Sequence, residues 1–213
     1  MELAAPVTSR ALPALASDDG RLLETVGAAL ELAARRAGAS LACRPGCTEC
    51  CIGPFPISAL DAERLRRGLA ELEAQAPGRA AAIRERANAA VVALSVDFPG
   101  DAGAGVVDDD APAADAFFAR HEKEPCPALD PRTGWCELYR HRPTACRTFG
   151  PPMRIEGQDL PPCRLCFVDA TPAAVEAART ELPVGELEER LESRARESGH
   201  PSPTLIAFAL ARP

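Results

Sequence analysis

Four cysteines within nine residues are the part of this sequence best suited to chemistry. They are Cys43, Cys47, Cys50 and Cys51, in the segment Cys-Arg-Pro-Gly-Cys-Thr-Glu-Cys-Cys. A thiolate binds soft or borderline metals tightly, and short gaps between cysteines let one loop wrap around one ion. The segment therefore predicts a metal site.

Five more cysteines follow far downstream, and the sequence predicts that a metal ties both parts of the chain together. These five are Cys126, Cys136, Cys146, Cys163 and Cys166. Eight thiolates are enough for two four-coordinate sites, so nine leave one thiol over. All nine are candidate ligands, and arrangements with one or two centres both stay open. The one-centre and two-centre arrangements differ at the adjacent pair Cys50 and Cys51. In extended backbone neighbouring side chains point opposite ways and would serve different sites, whereas in a turn both can reach one centre.

Other uses of the cysteines fit the sequence less well. The odd total argues against a framework made only of disulfides. The spacing differs from the C-x2-C-x2-C-x3-C-P run of ferredoxins, and no histidine pair follows as in zinc fingers. The three histidines, His121, His141 and His200, are isolated and are predicted to be surface residues rather than ligands, although His141 lies between two cysteines.

Four arginines stand close to the downstream cysteines. They are Arg140, Arg142, Arg147 and Arg164. A group of thiolates carries negative charge, and guanidinium N–H groups can donate to sulfur or to a bound anion. The alternative, that two or more of these arginines are plain surface residues, stays open.

Composition limits the classes of partner. The net charge of −7 argues against nucleic acid, because phosphate binding needs a basic surface. Residues 1–6 lack the basic start and apolar core of a secretory signal, and no apolar run approaches the ~20 residues of a membrane span. The sequence therefore predicts a cytoplasmic protein that does not bind membranes, in a compartment where thiols stay reduced.

The hydrophobic pattern predicts a mainly helical fold with a small, irregular β element, pinned by one or two cysteine-rich metal centres. Residues 1–16 are predicted to be a flexible arm, and residues 17–182 to be the metal-binding domain with an acidic loop inserted at about 95–115. Residues 183–213 are predicted to be a helical extension. Aromatic residues make up only 4% of the chain, so its helices bury little area per residue and a metal would add stability.

Capping residues predict where several helices begin. Ser17 is predicted to cap the first helix, and Ser58 with Asp61 resembles a capping box for the second. A later helix is predicted to start at Pro172 and to run to Leu182.

Shorter elements are predicted around the downstream cysteines. Residues 134–139 and 153–155 are predicted to be short strands, and residues 144–149 to open a helical turn.

Three motifs together resemble the YkgJ-type cysteine-cluster proteins, which are described as a zinc- or iron-chelating domain with a CxxCxxCC signature. The motifs are Cys43-x3-Cys47-x2-Cys50-Cys51, Cys126-Pro127-x-Leu129 and Cys136-x-Leu138-Tyr139-x2-Arg142-Pro143-x2-Cys146-Arg147-x-Phe149. The resemblance covers roughly residues 43–170, and the first gap has three residues where the family has two. It implies a metal-binding protein.

The expected cofactor is an iron–sulfur cluster or zinc. Ligation by cysteine alone, with arginines nearby, slightly favours an iron–sulfur cluster, and structural zinc held by four cysteines competes closely. Two alternatives stand beside a plain metal-binding protein. One is an enzyme using the cluster in redox or methyl-transfer chemistry on a protein substrate, since flagellin lysine-N-methylases carry a related cysteine cluster. The other is an interaction module with structural zinc. The expected partners are metal ions and, in both alternatives, a protein.

Overall fold

Helices dominate the structure, and its strands are short. The computed structural model describes residues 11–44, 46–108, 112–197 and 202–211. Within those ranges the strands have two or three residues and form sheets of two or three strands. The predicted class, mainly helical with a small β element, is confirmed. None of the helices in these ranges has both the length and the apolar character needed to cross a membrane.

The first helix, α1 (Ala11–Ala37), begins earlier than the sequence predicts. Ser17 lies inside this helix, so the prediction that Ser17 caps it is wrong. Alanine and leucine upstream of Ser17 have high helix propensity and continue the helical hydrogen bonding. Three predictions lie outside the described residues. They concern residues 1–10 of the predicted arm, Asp109 and Asp110 of the acidic loop, and His200.

The chain divides into two compact units. Residues 1–42 and 150–199 form one, which we call the sheet unit, and residues 43–149 and 200–213 form the other, the helical unit. The domain boundaries predicted from the sequence stay a prediction.

The sheet unit is built on α1. This helix contacts α6 (Pro172–Ala178), β6 (Thr180–Leu182) and α7 (Gly185–Glu197). The buried apolar positions of α1 recur at steps of three and four residues, which gives the helix one apolar face. They are Leu22, Val26, Ala29, Ala33 and Ala37.

A three-stranded sheet completes this unit. Strand β4 (Met153–Ile155) pairs antiparallel with β5 (Gln158–Leu160) and parallel with β6. The turn between β4 and β5 has positive φ at Glu156 (49°) and Gly157 (77°), as a two-residue type I′ hairpin requires. The predicted strand at 153–155 is confirmed. The helix predicted to reach Leu182 ends at Ala178, because residues 180–182 hydrogen-bond to β4 instead.

The helical unit packs α2 (Ala59–Gln75), α3 (Pro77–Leu94) and α8 (Ile206–Ala211) around one core. Strand β1 (Pro56–Ile57) pairs antiparallel with β7 (Thr204–Leu205), which brings α8 onto α2 and α3. Alanines at the contacts let the helix backbones approach closely. The predicted cap of α2 is confirmed, since the Ser58 hydroxyl accepts a hydrogen bond of 3.1 Å from the Asp61 N–H.

The far end of the helical unit contains part of the predicted acidic loop. Residues 100–107 form a hairpin of β2 (Gly100–Asp101) and β3 (Val106–Val107), and α4 (Pro112–Arg120) follows. The Phe117 side chain of α4 is buried and packs edge-on against Phe98, with 5.9 Å between ring centroids. The loop is thus shorter than predicted, because apolar side chains on both sides of it join the core.

Gly68 allows the segment after Cys136 to lie close to α2. The 3₁₀ turn Tyr139–His141 contacts α2, and a Cβ at position 68 would lie 2.7 Å from Cδ2 of His141. His141 is held there by a contact of 3.0 Å between its Nε2 and the Glu71 carboxylate. Only glycine leaves room for this contact.

We expect Gly68→Ala to lower the free energy of unfolding by about 1–3 kcal/mol, because the added methyl group must displace His141 and its backbone. Urea unfolding followed by circular dichroism measures the change. Gly78→Ala is the matched control in α3. A Cβ there meets nothing within 4 Å, so the free energy of unfolding should rise by about 0.5–1 kcal/mol. Equal effects of the two substitutions would contradict this account.

Candidate metal centre

Two backbone hydrogen bonds join the first cysteine segment to the middle of the chain. The N–H of Cys126 donates to the Cys51 carbonyl at 2.8 Å, and the N–H of Gly53 donates to the Glu124 carbonyl at 2.8 Å. Between these bonds Ile52 and the proline before Cys126 form an antiparallel bridge. The pairing places the backbone of Cys51 beside that of Cys126.

A tight turn then brings Cys136 back towards Cys126. Leu129 and Cys136 form an antiparallel bridge, and the N–H of Glu137 donates to the Ala128 carbonyl at 2.8 Å. The Asp130 carboxylate closes the turn by accepting from the backbone N–H of residue 132 and the hydroxyl of residue 133, and these bonds lower its pKa. The strand predicted at 134–139 is therefore one bridge, because a 3₁₀ turn begins at residue 139.

Two arginines of α3 fix this turn to the helical core. The Nε of Arg86 donates to the Pro127 carbonyl at 2.9 Å, and its Nη2 donates to the Glu137 carboxylate at 2.6 Å. Arg79 donates to the other carboxylate oxygen of Glu137 at 2.9 Å. The Glu137 side chain is only 7% exposed, and Arg86 is the more buried of its two partners, at 29% exposed against 58% for Arg79. Arg86 thereby holds the residues after Cys126 and after Cys136 in one place.

Cys146 is placed by a buried polar network. It lies in α5 (Thr144–Thr148), the helical turn that the sequence predicts. The N–H of Thr144 donates to Asp61 Oδ1 at 3.0 Å, so a carboxylate of α2 satisfies the start of α5. Arg64, which is fully buried, donates to the same Asp61 oxygen at 2.5 Å and to the Thr144 hydroxyl at 2.8 Å.

The segment between Cys136 and Cys146 carries two of the predicted arginines in defined roles. The Arg147 guanidinium donates to the backbone carbonyls of Arg140 and Arg142 and so braces the turn. The guanidinium carbon of Arg142 lies 3.9 Å from the centroid of the Tyr139 ring, in a cation–π contact. Stacking on this ring fixes the plane of the Arg142 guanidinium.

Five thiols of the helical unit interact with one another. They are Cys50, Cys51, Cys126, Cys136 and Cys146. We call them the thiol group. Three of them, Cys126, Cys136 and Cys146, also pack against the apolar core of α2, α3 and α8. The adjacent pair contributes both its sulfurs because Glu49–Cys51 is a 3₁₀ turn rather than extended backbone.

The protonation of the thiol group is uneven. A hydrogen bond with Cys51 lowers the pKa of Cys50 to about 6, and the positive charge of Arg142 acts in the same direction. The same hydrogen bond raises the pKa of Cys51, with burial as the next cause. Burial raises the pKa of Cys126 to about 12 and is also the largest cause of the raised pKa values of Cys136 and Cys146. The adjacent pair Cys50 and Cys51 is thus the first part of the thiol group to lose a proton.

The donor chemistry of the thiol group fits zinc or iron, which bind thiolates strongly. In the part of the chain that the structure describes, no three cysteine, histidine, aspartate or glutamate side chains are gathered closely enough to enclose an ion. Metal binding therefore requires the sulfurs to draw together and to lose protons. That coupling of binding to local folding is usual for cysteine-ligated metals.

The other four predicted ligands lie outside the thiol group. Cys43 is exposed, and its sulfur donates to the Phe149 carbonyl at 4.0 Å. Cys47, partly buried, follows it in the same helical unit. Cys163 and Cys166 belong to the sheet unit, where both are buried. There the sulfur of Cys166 accepts from a backbone N–H of residue 42 at 3.4 Å.

The described histidines are engaged with carboxylates. His141 pairs with a glutamate of α2, as noted above, and His121 Nε2 lies 3.0 Å from Asp97. The hydrogen bond to His121 is the largest cause of the lowered pKa of Asp97. Both side chains are mostly covered, at 11% exposed for His121 and 20% for His141. Neither side chain is fully buried, and the prediction that these histidines are surface residues rather than ligands stays a prediction.

Several residues that position the cysteines are not apparent from motifs. Glu137 and Arg86 are two of them. No local sequence pattern links this ion pair, because its residues are 51 positions apart in the chain. Asp61 and Arg64 did leave a signal: they lie three residues apart on the helical stripe that also contains Leu65. A charged pair on an apolar stripe indicates a buried ion pair.

Residues 42–166, more than half of the chain, match the protein family described as "CxxCxxCC: Putative zinc- or iron-chelating domain". No curated protein and no solved structure matches the chain.

We expect Asp61→Asn to lower the free energy of unfolding by about 3–5 kcal/mol, because it removes the carboxylate charge from a buried ion pair with Arg64. Urea unfolding measures this loss. Glu73→Gln is the matched control in the same helix: its ion pair with Arg84 is 2.8 Å long but exposed, so its loss should change stability by less than about 1 kcal/mol. If the two variants were equally stable, the buried network would not be holding α5 in place.

Proposed function

The chain belongs to the CxxCxxCC family, and we propose that it is a metal-binding protein whose thiol group holds a zinc ion or an iron–sulfur cluster. One observation carries this proposal. Five thiols from four separate chain segments converge in the helical unit. Thiols drawn from such distant segments, with no disulfide among them, are the usual donor set of a cysteine-ligated metal.

A centre of this kind needs four of the five sulfurs. Cys126, Cys136 and Cys146 are proposed as fixed ligands, because each lies on a segment that side-chain or backbone hydrogen bonds attach to the helical core. The fourth ligand comes from the adjacent pair Cys50 and Cys51. The second member of that pair is the thiol left over.

Both candidate cofactors have support in the donor set. Ligation by thiols alone suits an iron–sulfur cluster, and four thiolates also suit structural zinc. Zinc would cross-link the four segments, whereas an iron–sulfur cluster would add electron transfer. The residues of this chain supply the sulfurs, position them and shield them from water on the side of the apolar core.

The remaining cysteines and the cellular setting belong to the same proposal. That Cys43, Cys47, Cys163 and Cys166 are ligands stays a prediction, and the centre proposed in the thiol group does not use them. None of the nine cysteines forms a disulfide, which supports a cytoplasmic location where thiols remain reduced. Partners other than metal ions are not needed for this function.

The first test is metal analysis of protein purified without oxygen. We expect about one zinc ion or one iron–sulfur cluster per chain, since four thiolates hold one centre. Iron accompanied by inorganic sulfide and visible sulfur-to-iron absorption identifies a cluster, and colourless protein with stoichiometric zinc identifies zinc. Protein that contains neither metal, and takes up neither after reconstitution, would refute the proposal.

Paired alanine variants test which cysteines form the centre. Cys126→Ala should lose most of the bound metal, because it removes a proposed fixed ligand. Cys166→Ala removes a buried thiol of the sheet unit and should leave the metal content of the thiol group intact. Metal content per folded chain and thermal stability with and without metal are measured for both. Equal metal loss in the two variants would show that the centre is not confined to the thiol group.

A further inference from the structure

Arg142 has a buried donor that no described residue uses. Its Nε is covered by protein and has no hydrogen-bond partner among the residues that the structure describes. Buried donors in native proteins are almost always satisfied, so an unused one points to a missing acceptor. The guanidinium lies against the ring of Tyr139, which fixes its plane without using any of its N–H groups.

The thiol group lies within the electrostatic reach of this guanidinium. The positive charge of Arg142 acts on the thiols of both Cys50 and Cys136. The other arginines nearby make different contacts. Arg147 donates to backbone carbonyls, and Arg86 is paired with Glu137.

We propose that Arg142 is the outer-sphere cation of the metal centre, donating its Nε–H to a metal-bound thiolate of Cys50 or Cys136. Four thiolates around a divalent ion leave a net charge of about −2, and one guanidinium offsets part of it. The inference rests on the proposed metal-binding function and adds the group that makes a partly buried, negatively charged centre stable. Arg142 is a positioning and charge-compensating residue and not a ligand.

Arginine suits this role better than lysine. A guanidinium is planar, stacks on an aromatic ring and presents N–H groups along its edge, whereas an ammonium is a strongly hydrated point charge. Here the Tyr139 ring covers one face of the Arg142 guanidinium, so the Nε–H on its edge remains able to donate to a sulfur. Loss of an outer-sphere partner typically weakens metal binding about 10- to 100-fold.

The experiment compares full-length wild type with Arg142→Gln, Arg142→Lys and the control Arg140→Gln. Arg140 is an exposed neighbour of equal charge, and its backbone carbonyl, which accepts a hydrogen bond from Arg147, is kept by the substitution. Zinc affinity is measured by competition with a chelating dye. Cobalt(II) serves as a second probe, because thiolate-to-cobalt charge-transfer bands report hydrogen bonding to sulfur. Urea unfolding of the metal-free proteins checks the fold.

The expected result is a zinc affinity about 10- to 100-fold lower in Arg142→Gln, with a shifted cobalt band and an unchanged urea midpoint of the metal-free protein. Arg142→Lys should fall between this variant and wild type, and Arg140→Gln should match wild type. If Arg142→Gln does not fold, a zinc affinity and cobalt band of Arg142→Lys equal to wild type overturn the inference.

Other outcomes separate the inference from the proposed function. Wild-type affinity and an unshifted band in Arg142→Gln overturn the role of Arg142 while leaving the metal centre in place. A drop in affinity that only follows a lower urea midpoint, with an unshifted band, also overturns it, since the residue would then be merely structural. Failure of wild type to bind zinc and cobalt overturns the proposed function and this inference together.

Discussion

The pairing of two short backbone stretches, Cys51–Gly53 with Glu124–Cys126, is the constraint on which the thiol group depends. Its two hydrogen bonds are each 2.8 Å long. A backbone hydrogen bond contributes a net of only about 0.5–1.5 kcal/mol, and closing the long loop between these stretches costs conformational entropy. Contacts with the helical core keep both stretches in place. Strand β1 leads from the first stretch into α2, and Arg86 of α3 donates a hydrogen bond to the Pro127 carbonyl, which follows the second stretch.

The apolar core and the thiol group support each other. The core of the helical unit is rich in alanine, so each of its helices contributes little buried area. Cysteine is itself a small hydrophobic residue, and Cys126, Cys136 and Cys146 extend this core on one side. The burial that makes them useful for packing also keeps them protonated, as their raised pKa values show. A metal bound there would exchange those protons for coordination bonds.

Charged side chains are used inside the helical unit mainly to fix segments of chain. Asp61 and Arg64 attach the start of α5, and the Arg86–Glu137 pair attaches the turn that carries Cys136. A buried pair of this kind contributes little net stability compared with apolar packing, yet it is strongly directional. Directional contacts are what a multi-segment site needs, since each sulfur must arrive from a different part of the chain.

Local interactions determined what could be predicted from the sequence alone. The kind of chemistry follows from residue type and spacing at the four clustered cysteines. The helical class and the Ser58 cap of α2 follow from contacts between residues a few positions apart. Reliance on local patterns also explains two wrong predictions. Ser17 can cap a helix only where the helix begins, and α1 begins before it. Residues 180–182 are predicted to be helical, but they pair with the distant strand β4.

The tertiary structure determined which of the nine cysteines lie near one another. Spacing cannot show that Cys51 lies beside Cys126, or that Cys163 and Cys166 belong to a different unit, since those facts depend on pairings between distant segments. The same holds for the buried Nε of Arg142, which has no hydrogen-bond partner among the described residues, and for the stacking of its guanidinium on the Tyr139 ring. The sequence by itself thus determined the donor type, thiol sulfur, and the helical class, while only the three-dimensional contacts determined which thiols lie near one another, because those contacts join distant segments.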